Sequence, residues 1–337
     1  MPALAFKSEA EWLSIRELHV GGSEVASLFY TWQSPSGEAR VLHLFEDPPE
    51  GFTLVGCCSP FKTGYRLWME KSGQVEPDPL DENERVQAGL FLEPALAAWA
   101  KQRWSWAAMR KVRRYLTHPE VPGWGSSLDY EINEPGRPPV EFKNVDGGSF
   151  CRNWICDGQD ITGLPLNYAL QVQAQIGVAE ASHGWIVACV GGNQLRRGRI
   201  ERHEPTQEKI TGAVSAFWQA IRDGKTPTAV ADYEAVAELH RYGDKGLPEV
   251  DLSQDTEFDR LCNRYRRLKV HADKVEVAIS NVKGRLAARL GDATRAVSGG
   301  FKVTWPAITR PAKQIPARWQ EELTYRGALL ITPTKED

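Results

Sequence analysis

Two carboxylates and a lysine are spaced so that they can meet on one face of a predicted β-hairpin. The first strand carries Asp129, and the second strand, after a turn from Asn133 to Pro139, carries Glu141 and Lys143. Because successive side chains of a strand point to opposite faces, these three can point out of the same face of the hairpin. The apolar side chains that alternate with them are expected to pack on the other face: Leu128, Tyr130, Val140 and Phe142.

Such a cluster has the chemistry of phosphodiester hydrolysis. Hard divalent ions such as Mg²⁺ bind carboxylate oxygens and waters, and a lysine beside the ion can orient or deprotonate one of those waters. The same alternation also occurs on ordinary solvated sheet faces, since short motifs often match by chance. Taken alone, the hairpin leaves both readings open.

Composition indicates a globular protein without secretion or membrane signals. The 337 residues are 42% hydrophobic and 25% charged, and the net charge is −3. This length is sufficient for one large domain or two. The chain has no apolar run of 18 residues, and its start lacks a signal-peptide layout, which predicts a cytosolic location. Its six cysteines form no CxxC pair, so we expect reduced thiols and oxygen ligands for any metal. Residues 251–337 carry 16 Lys and Arg against 11 Asp and Glu, a basic tail on an acidic body.

A candidate phosphate-binding seat lies near the N-terminus. The spacing predicts a short helix over residues 11–18, a Gly21-Gly22 turn, and a second helix over residues 23–29 with Ser23 as its N-cap. The free backbone N–H groups of that second helix, with Arg16 one turn upstream, could hold a phosphate. An ordinary capped helix is the alternative.

A long helix predicted over residues 86–104 places a carboxylate among apolar positions. Glu93 shares its predicted packed face with Leu90, Leu96, Ala97 and Ala100. A carboxylate on such a face is costly without a partner, which could be a metal ion or a neighbouring lysine or arginine.

A second helix, predicted over residues 166–180, brings polar side chains to one face. Tyr168, Gln171 and Gln175 fall at helical spacing there. Buried glutamines need hydrogen-bond partners, so this face should meet polar groups.

The remaining pattern predicts an α/β or α+β domain that runs to about residue 225. It includes a loop or small hairpin at 31–58, a helix at 64–71, a loop at 144–154, a strand at 184–190, a basic strand or turn at 196–202, and a helix at 208–222. Residues 226–250 read as a connector with one short helix. Beyond it, apolar residues step by three and four from Phe258 to Leu286, which predicts a heptad helix ending at Gly291. A strand at 299–305 and a loosely ordered last twenty residues complete the prediction.

Together these motifs resemble the lambda-exonuclease, or YqaJ-type viral recombinase, family, a branch of the PD-(D/E)xK nucleases. The signs occur in the family's order over residues 12–180: Gly21-Gly22-Ser23-Glu24, Ser59-Pro60-Phe61-Lys62-Thr63 before Leu67-Trp68-Met69-Glu70-Lys71, Gly89 with Glu93, Asp129, Glu141-Phe142-Lys143, and Tyr168-Ala-Leu-Gln171-Val172-Gln173. The resemblance implies an α/β (α+β) restriction-endonuclease-like core at 1–225, with a central mixed sheet flanked by helices. A connector at 226–250 precedes an extension at 251–337, made of the heptad helix and a small β element.

The resemblance also implies roles for individual residues of the catalytic site. Asp129 and Glu141 would bind a pair of Mg²⁺ ions, for which Mn²⁺ could substitute, with the main-chain carbonyl of Phe142 as a further ligand. Glu93 would serve the second ion. The two remaining catalytic residues are Lys143, which would position or activate the attacking water, and Gln171, which would hold Lys143 or the metal shell in place.

Further residues match the family's contacts with a DNA end. Trp12 and Arg16 stand where the family places a wedge and a 5′-phosphate contact, and Ser23 and Ser127 match its other phosphate contacts. Arg152 is an approximate match for a family arginine that follows the second strand of the hairpin.

The implied function is a 5′-to-3′ double-strand DNA exonuclease of a phage-type recombination system, which leaves 3′ single-stranded tails. It would act in the bacterial cytoplasm as a homo-oligomer, a trimer by resemblance, with a single-strand annealing protein as partner and no membrane contact. The alternatives are an endonuclease or repair nuclease of the same superfamily, and a non-catalytic DNA-end-binding or scaffold module. The heptad helix could serve as a brace, a coiled-coil pair or a DNA-binding arm.

Overall fold

A computed structural model describes residues 3–77, 79, 83–240, 249–298 and 301–304 of the chain. The chain divides into two compact units, Met1–Leu239 and His240–Asp337. The first unit contains a central mixed sheet flanked by helices, and the second contains a long helix and a small β-hairpin. The predicted fold class is therefore confirmed.

The first unit holds seven α-helices and thirteen strands among the residues described. Its helices are α1 (Glu9–Glu17), α2 (Gly64–Lys71), α3 (Glu84–Trp104), α4 (Gly147–Asn153), α5 (Leu166–Val178), α6 (Glu204–Arg222) and α7 (Tyr233–Leu239), with 3₁₀ turns at Val25–Leu28 and Thr228–Val230. Its strands are β1 (Ala3–Leu4), β2 (Phe29–Gln33), β3 (Ala39–His43), β4 (Thr53–Cys57), β5 (Met109–Lys111), β6 (Tyr115–Thr117), β7 (Gly125–Ser127), β8 (Tyr130–Ile132), β9 (Pro139–Val145), β10 (Ile155–Asp157), β11 (Asp160–Gly163), β12 (His183–Val190) and β13 (Gln194–Glu201).

The central sheet has seven strands in the order β10-β11-β13-β12-β9-β8-β5. Its middle pair, β9 and β12, is parallel, and β8 joins β9 as the antiparallel hairpin that the sequence predicts, with Tyr130 opposite Val140. The first arm of that hairpin is interrupted, because β7 belongs to a separate sheet with β6 and β1. Between the two sheets, Leu128 is buried and the main-chain carbonyl of Asp129 accepts a hydrogen bond from the N–H of Val112 (3.2 Å). Asp129 therefore lies where the chain changes sheets.

Helices cover both faces of the central sheet. On one face, Leu96, Ala97 and Ala100 of α3 pack against the even-numbered side chains of β9, Val140 and Phe142. On the other face, α5 packs against Val145 of β9 and against side chains of β12. Alternation along β9 turns Glu141 and Lys143 towards α5.

Three segments fold differently from their predictions. Residues 31–58 are more than a loop or small hairpin: β3, β2 and β4 form a three-stranded antiparallel sheet, because alternate residues such as Tyr30 and Trp32 pack into the core. The predicted loop at 144–154 contains α4, since Asp146 caps the N–H of Ser149 (2.8 Å) and Phe150 is buried. The lead-in to α5 forms the β10–β11 hairpin.

Other predicted elements are present with shifted ends. The basic segment at 196–202 is the strand β13, the helix predicted at 208–222 begins at Glu204, and the connector's short helix is α7. α5 ends at Val178 rather than residue 180, where Glu180 adopts a positive φ of 49°.

The second unit contains the predicted heptad helix. This helix, α8 (Thr256–Leu290), is capped by Asp255, ends at Gly291 and has no fully buried residue. It is followed by the antiparallel pair β14 (Arg295–Ser298) and β15 (Phe301–Thr304). The predictions for Trp305, for the last twenty residues and for residues 241–248 of the connector lie outside the described residues. Within the described part, none of the helices combines the length and apolarity that a bilayer span requires.

A close approach between α5 and the core gives a test of this packing. A Cβ added to Gly177 would lie 2.7 Å from the ring of Trp124 and 2.6 Å from Oε1 of Gln207, whereas one added to Gly212 of α6 would meet nothing within 4 Å. We expect Gly177→Ala to lower the free energy of unfolding by about 1–3 kcal/mol through overpacking. We expect the control Gly212→Ala to raise it by about 0.5–1 kcal/mol, because alanine favours helix. Urea denaturation would measure both, and equal effects would contradict the packing of α5 on Trp124.

Candidate active site

The centre of the candidate site is the carboxylate of Glu141, which is 4% exposed. Its Oε1 atom accepts hydrogen bonds from Nζ of Lys143 (2.6 Å) and from Nε2 of Gln171 (2.7 Å). Its Oε2 atom accepts one from Nε2 of Gln175 (2.5 Å). One ammonium and two amides thus satisfy a buried charge that would otherwise be strongly unfavourable.

Helical periodicity explains the two glutamine contacts. Gln171 and Gln175 are four residues apart on α5, so they lie on the same face of the helix, about one turn apart. Gln171, predicted to hold Lys143 or the metal shell, contacts Glu141 itself. Gln175 appeared on the same predicted face without an assigned role, and only the docking of α5 on β9 shows that its partner is Glu141.

Asp129 lies across the hairpin from Glu141. Its Oδ2 atom accepts a hydrogen bond from the N–H of Phe142 (3.0 Å), and among the described residues its Oδ1 atom has no hydrogen-bond donor. Burial, and then the negative charges of Glu141 and Glu93, raise the pKa of Asp129 well above its usual value. Asp129 is therefore close enough to both Glu141 and Glu93 for their negative charges to act on it.

Lys143 is held in its charged form. Burial alone would lower its pKa, but the charge and hydrogen bond of Glu141 and the charge of Asp129 outweigh burial and raise it. The ammonium also lies 5.1 Å from the ring centroid of Tyr168. At neutral pH Lys143 is a hydrogen-bond donor rather than a proton acceptor.

Glu93 is near this cluster but already has a partner. Its Oε1 atom accepts a hydrogen bond from Nζ of Lys111 (2.9 Å), which is the lysine alternative that the sequence left open. Its charge still acts on Asp129. The assignment of Glu93 to a second ion stays a prediction, and such an ion would compete with Lys111.

A buried carboxylate that sequence reasoning missed lies two residues beyond Asp129. Glu131 is 1% exposed. Its two oxygens pair separately with Arg110, at 2.7 Å from Nη2, and with Arg114, also at 2.7 Å from Nη2. The available signal was the alternation of Asp129 and Glu131 on one strand face opposite a segment rich in arginine.

Three of the residues predicted to contact a DNA end are brought together. Nε1 of Trp12 donates a hydrogen bond to Oγ of Ser127 (2.7 Å), and the guanidinium of Arg16 lies 4.7 Å from the centroid of the Trp12 ring. Trp12 and Arg16 are one turn apart on α1, and Ser127 ends β7, two residues before Asp129. Ser127 therefore links this group along the chain to Asp129 of the carboxylate cluster.

The predicted helix with Ser23 as its N-cap is wrong. The segment forms only the 3₁₀ turn Val25–Leu28, and the side chain of Ser23 caps nothing among the described residues. The carboxylate of Glu24 accepts a hydrogen bond from the N–H of Gly21 (2.8 Å). The same carboxylate forms ion pairs with Nζ of Lys71 (3.3 Å) and Nη2 of Arg16 (3.6 Å). The N–H of Gly21 is thus occupied by a carboxylate that also forms ion pairs with Lys71 and Arg16.

Arg152 does not join the other predicted phosphate contacts. It is exposed on the short helix α4, and no residue of the described part pairs with it. Its assignment as a DNA contact remains a prediction without a supporting neighbour.

Tyr115 is a second residue that sequence reasoning missed. It lies opposite Ser127 in the β6–β7 pair, and its buried hydroxyl has no hydrogen-bond partner in the part of the chain that the structure describes. Burial, and then the charge of Glu24, raise its pKa. Its hydroxyl therefore remains a neutral donor near Arg16 and Glu24.

The donor set suits a hard divalent ion with a partial water shell. Among the described residues, no three His, Cys, Asp or Glu side chains converge into a ready metal cage. Mg²⁺ characteristically uses one or two carboxylates and keeps several waters. Asp129 and Glu141 supply two carboxylates: Glu141 precedes Phe142 in β9, and Asp129 accepts the hydrogen bond from the N–H of Phe142. The mutual repulsion of these carboxylates would be relieved by a cation, so the residues fit the group.

Comparisons with known proteins identify relatives of this chain. Residues 52–182 match the model of the YqaJ-like viral recombinase domain. The chain is 24% identical over 308 residues to an uncharacterised protein, YqaJ, of Bacillus subtilis (strain 168), covering 89% of this chain and 84% of that protein. Two crystal structures of LHK-Exo, an alkaline exonuclease from Laribacter hongkongensis, one of them in complex with dAMP, resemble it at 18% identity with a TM-score of 0.44. Each match covers 64% of this chain and 94% of the other.

The Glu24 network predicts a specific dependence of stability on pH. Although burial opposes its charge, Lys71, Arg16 and the Gly21 N–H lower the pKa of Glu24 below its ordinary value of 4.5. The stabilisation is therefore complete above pH 4.5 and is lost as the pH falls through the lower pKa of the folded state. We expect Glu24→Gln to cost about 2–4 kcal/mol at pH 7 by leaving Lys71 buried without its carboxylate, and the difference from wild type to shrink below pH 4.5.

Denaturant unfolding between pH 3 and pH 7 would measure this difference. The exposed pair of Glu38 and Arg40 supplies the control, since Glu38→Gln should change stability by less than about 0.5 kcal/mol at any of these pH values. A pH-independent cost of Glu24→Gln would show that the carboxylate does not act through its charge.

Proposed function

We propose that this chain, which belongs to the YqaJ-like viral recombinase family through residues 52–182, is a Mg²⁺-dependent 5′-to-3′ exonuclease of double-stranded DNA ends. The observation that carries the proposal is the buried Glu141, held by Lys143, Gln171 and Gln175 and facing Asp129 across the hairpin. This arrangement presents two carboxylates and a charged amine at one spot, as phosphodiester hydrolysis requires.

Asp129, Glu141 and the carbonyl of Phe142 would hold Mg²⁺, and Glu93 would serve a second ion. The bound metal supplies charge stabilisation at the phosphoryl oxygens and a more acidic water. Because Lys143 is charged, it orients the attacking water or a phosphate oxygen by donating hydrogen bonds. Gln171 and Gln175 prevent the Glu141 carboxylate from rotating away, which preserves the geometry for attack.

The group formed by Trp12, Arg16 and Ser127 would receive the end of the duplex. The Trp12 ring offers a flat surface against the terminal base pair. Arg16 and the hydroxyl of Ser127 offer donors to a 5′-phosphate. Release of Arg16 from Glu24 would accompany that contact.

In the cell, the products would be 3′ single-stranded tails for an annealing protein, within a phage-type recombination system of the bacterial cytoplasm. Family membership supports this role, as it supports assembly into a ring-shaped trimer. The alternatives are an endonuclease or repair nuclease of the same superfamily and a non-catalytic DNA-end-binding module. The complete Asp129, Glu141 and Lys143 set disfavours the last of these.

Hydrolysis of 5′-phosphorylated linear duplex with Mg²⁺ tests the proposal. We expect wild type to release nucleotides from the 5′ ends, and Lys143→Ala to slow release by about 10²–10³-fold, the usual cost of removing one positioned hydrogen-bond donor. Asp129→Asn should abolish release, because it removes a metal ligand. The charge-matched controls Lys209→Ala and Asp157→Asn, both exposed and away from the cluster, should retain activity.

Three other outcomes would redirect the assignment. Activity retained in both Lys143→Ala and Asp129→Asn would refute the site. Cutting of closed circular DNA would favour the endonuclease, and tight DNA binding without cleavage under any divalent ion would favour the non-catalytic module.

The role of Arg16 predicts a change in substrate preference rather than in chemistry. We expect Arg16→Ala to reduce the ratio of rates on 5′-phosphorylated and 5′-hydroxyl duplexes by roughly 10–100-fold, the worth of one charge-assisted hydrogen bond. Paired rate measurements on the two substrates would give this ratio. An unchanged ratio would remove Arg16 from the phosphate contact.

A further inference from the structure

A cluster of cations borders the carboxylates of the candidate site and has no role in the mechanism above. Arg110, Lys111, Arg113 and Arg114, here called the basic edge, occupy four of five consecutive positions on and after β5. The fifth residue, Val112, is buried, and its N–H is bonded to the carbonyl of Asp129. The main chain thus ties the basic edge directly to a predicted metal ligand.

Three of the four cations are fixed by carboxylates of the same domain. The buried Glu131 forms ion pairs with Arg110 through one oxygen and with Arg114 through the other, and Glu93 forms an ion pair with Lys111. Each of these cations remains partly exposed, with side-chain exposures of 47% for Arg110, 47% for Lys111 and 28% for Arg114. A guanidinium has five N–H donors, so each arginine keeps donors for another acceptor.

The fourth cation is unpaired within the described part of the chain. Arg113 is exposed, and no described residue forms an ion pair or hydrogen bond with it. Four cations against two carboxylates leave the basic edge with a surplus of two positive charges. That surplus lies beside the carboxylates of a chain whose net charge is −3.

We propose that the basic edge binds the phosphate backbone of the DNA strand that enters the candidate active site. Polyanionic phosphates match both the surplus charge and the fork geometry of arginine. Glu131 and Glu93 position the cations before DNA arrives, so less side-chain entropy is lost on binding. Contacts of this kind set position and affinity without reading sequence. The inference rests on the proposed function, because it places the DNA substrate of that function against the basic edge as well as in the candidate active site.

Salt dependence of DNA binding provides the test. The full chain is titrated with a 5′-phosphorylated duplex in Ca²⁺ instead of Mg²⁺, at several NaCl concentrations, after confirming that the DNA stays intact. We expect Arg113→Gln to weaken binding about fivefold and to reduce the slope of log affinity against log salt by about 0.9, the value for one phosphate contact on duplex DNA. The double variant Arg110→Gln/Arg113→Gln should reduce the slope by about twice as much.

Lys209→Gln on α6 is the control, since it removes the same charge from an exposed side chain outside the basic edge. Its slope should equal that of wild type. If Arg113→Gln and Lys209→Gln behave alike while wild type binds and hydrolyses DNA, the basic edge is refuted and the proposed function stands. If wild type neither binds nor hydrolyses DNA, both proposals fail.

Discussion

The buried negative charge of Glu141 is the constraint on which the central part of the structure depends. A carboxylate at this depth must be compensated, and only one of its three partners, Lys143, lies on its own strand. The other two come from α5, so the helix must dock on β9 at one axial position and one rotation. The same docking brings Gly177 close to the ring of Trp124. This apolar contact and the hydrogen bonds to Glu141 together define the position of α5.

Acids hold the cations around this centre in three separate places. Glu24 pairs with Arg16 and Lys71, Glu93 pairs with Lys111, and Glu131 pairs with Arg110 and Arg114. Such pairs contribute modestly to stability where they are exposed, but they restrict the side chains that carry charge. In the proposed function, a 5′-phosphate at Arg16 would compete with Glu24, and a metal ion at Glu93 would compete with Lys111.

The alternation and spacing of residues 127–143 were sufficient to predict the hairpin, and helical periodicity was sufficient to predict α3, α5 and α8. These patterns are local, and they are written in the order of side-chain types. The resemblance to the YqaJ-type viral recombinase family also followed from residue order, and the match of residues 52–182 to the YqaJ-like viral recombinase domain confirms it. The α-helix predicted after Gly22 is wrong. The segment forms a 3₁₀ turn instead, and Glu24 forms ion pairs with Arg16 and Lys71.

The sequence by itself predicted which residues could carry chemistry and, for most of them, the strand or helix on which each one lies. Only the tertiary structure decided which of them meet: that Gln175 shares Glu141 with Gln171, that Glu93 pairs with Lys111, and that Glu131 gathers two arginines. The physical reason is that periodicity fixes the direction of a side chain relative to its own element. Its partner depends on how separate elements pack, and buried charges select among those packings because an uncompensated one is so costly.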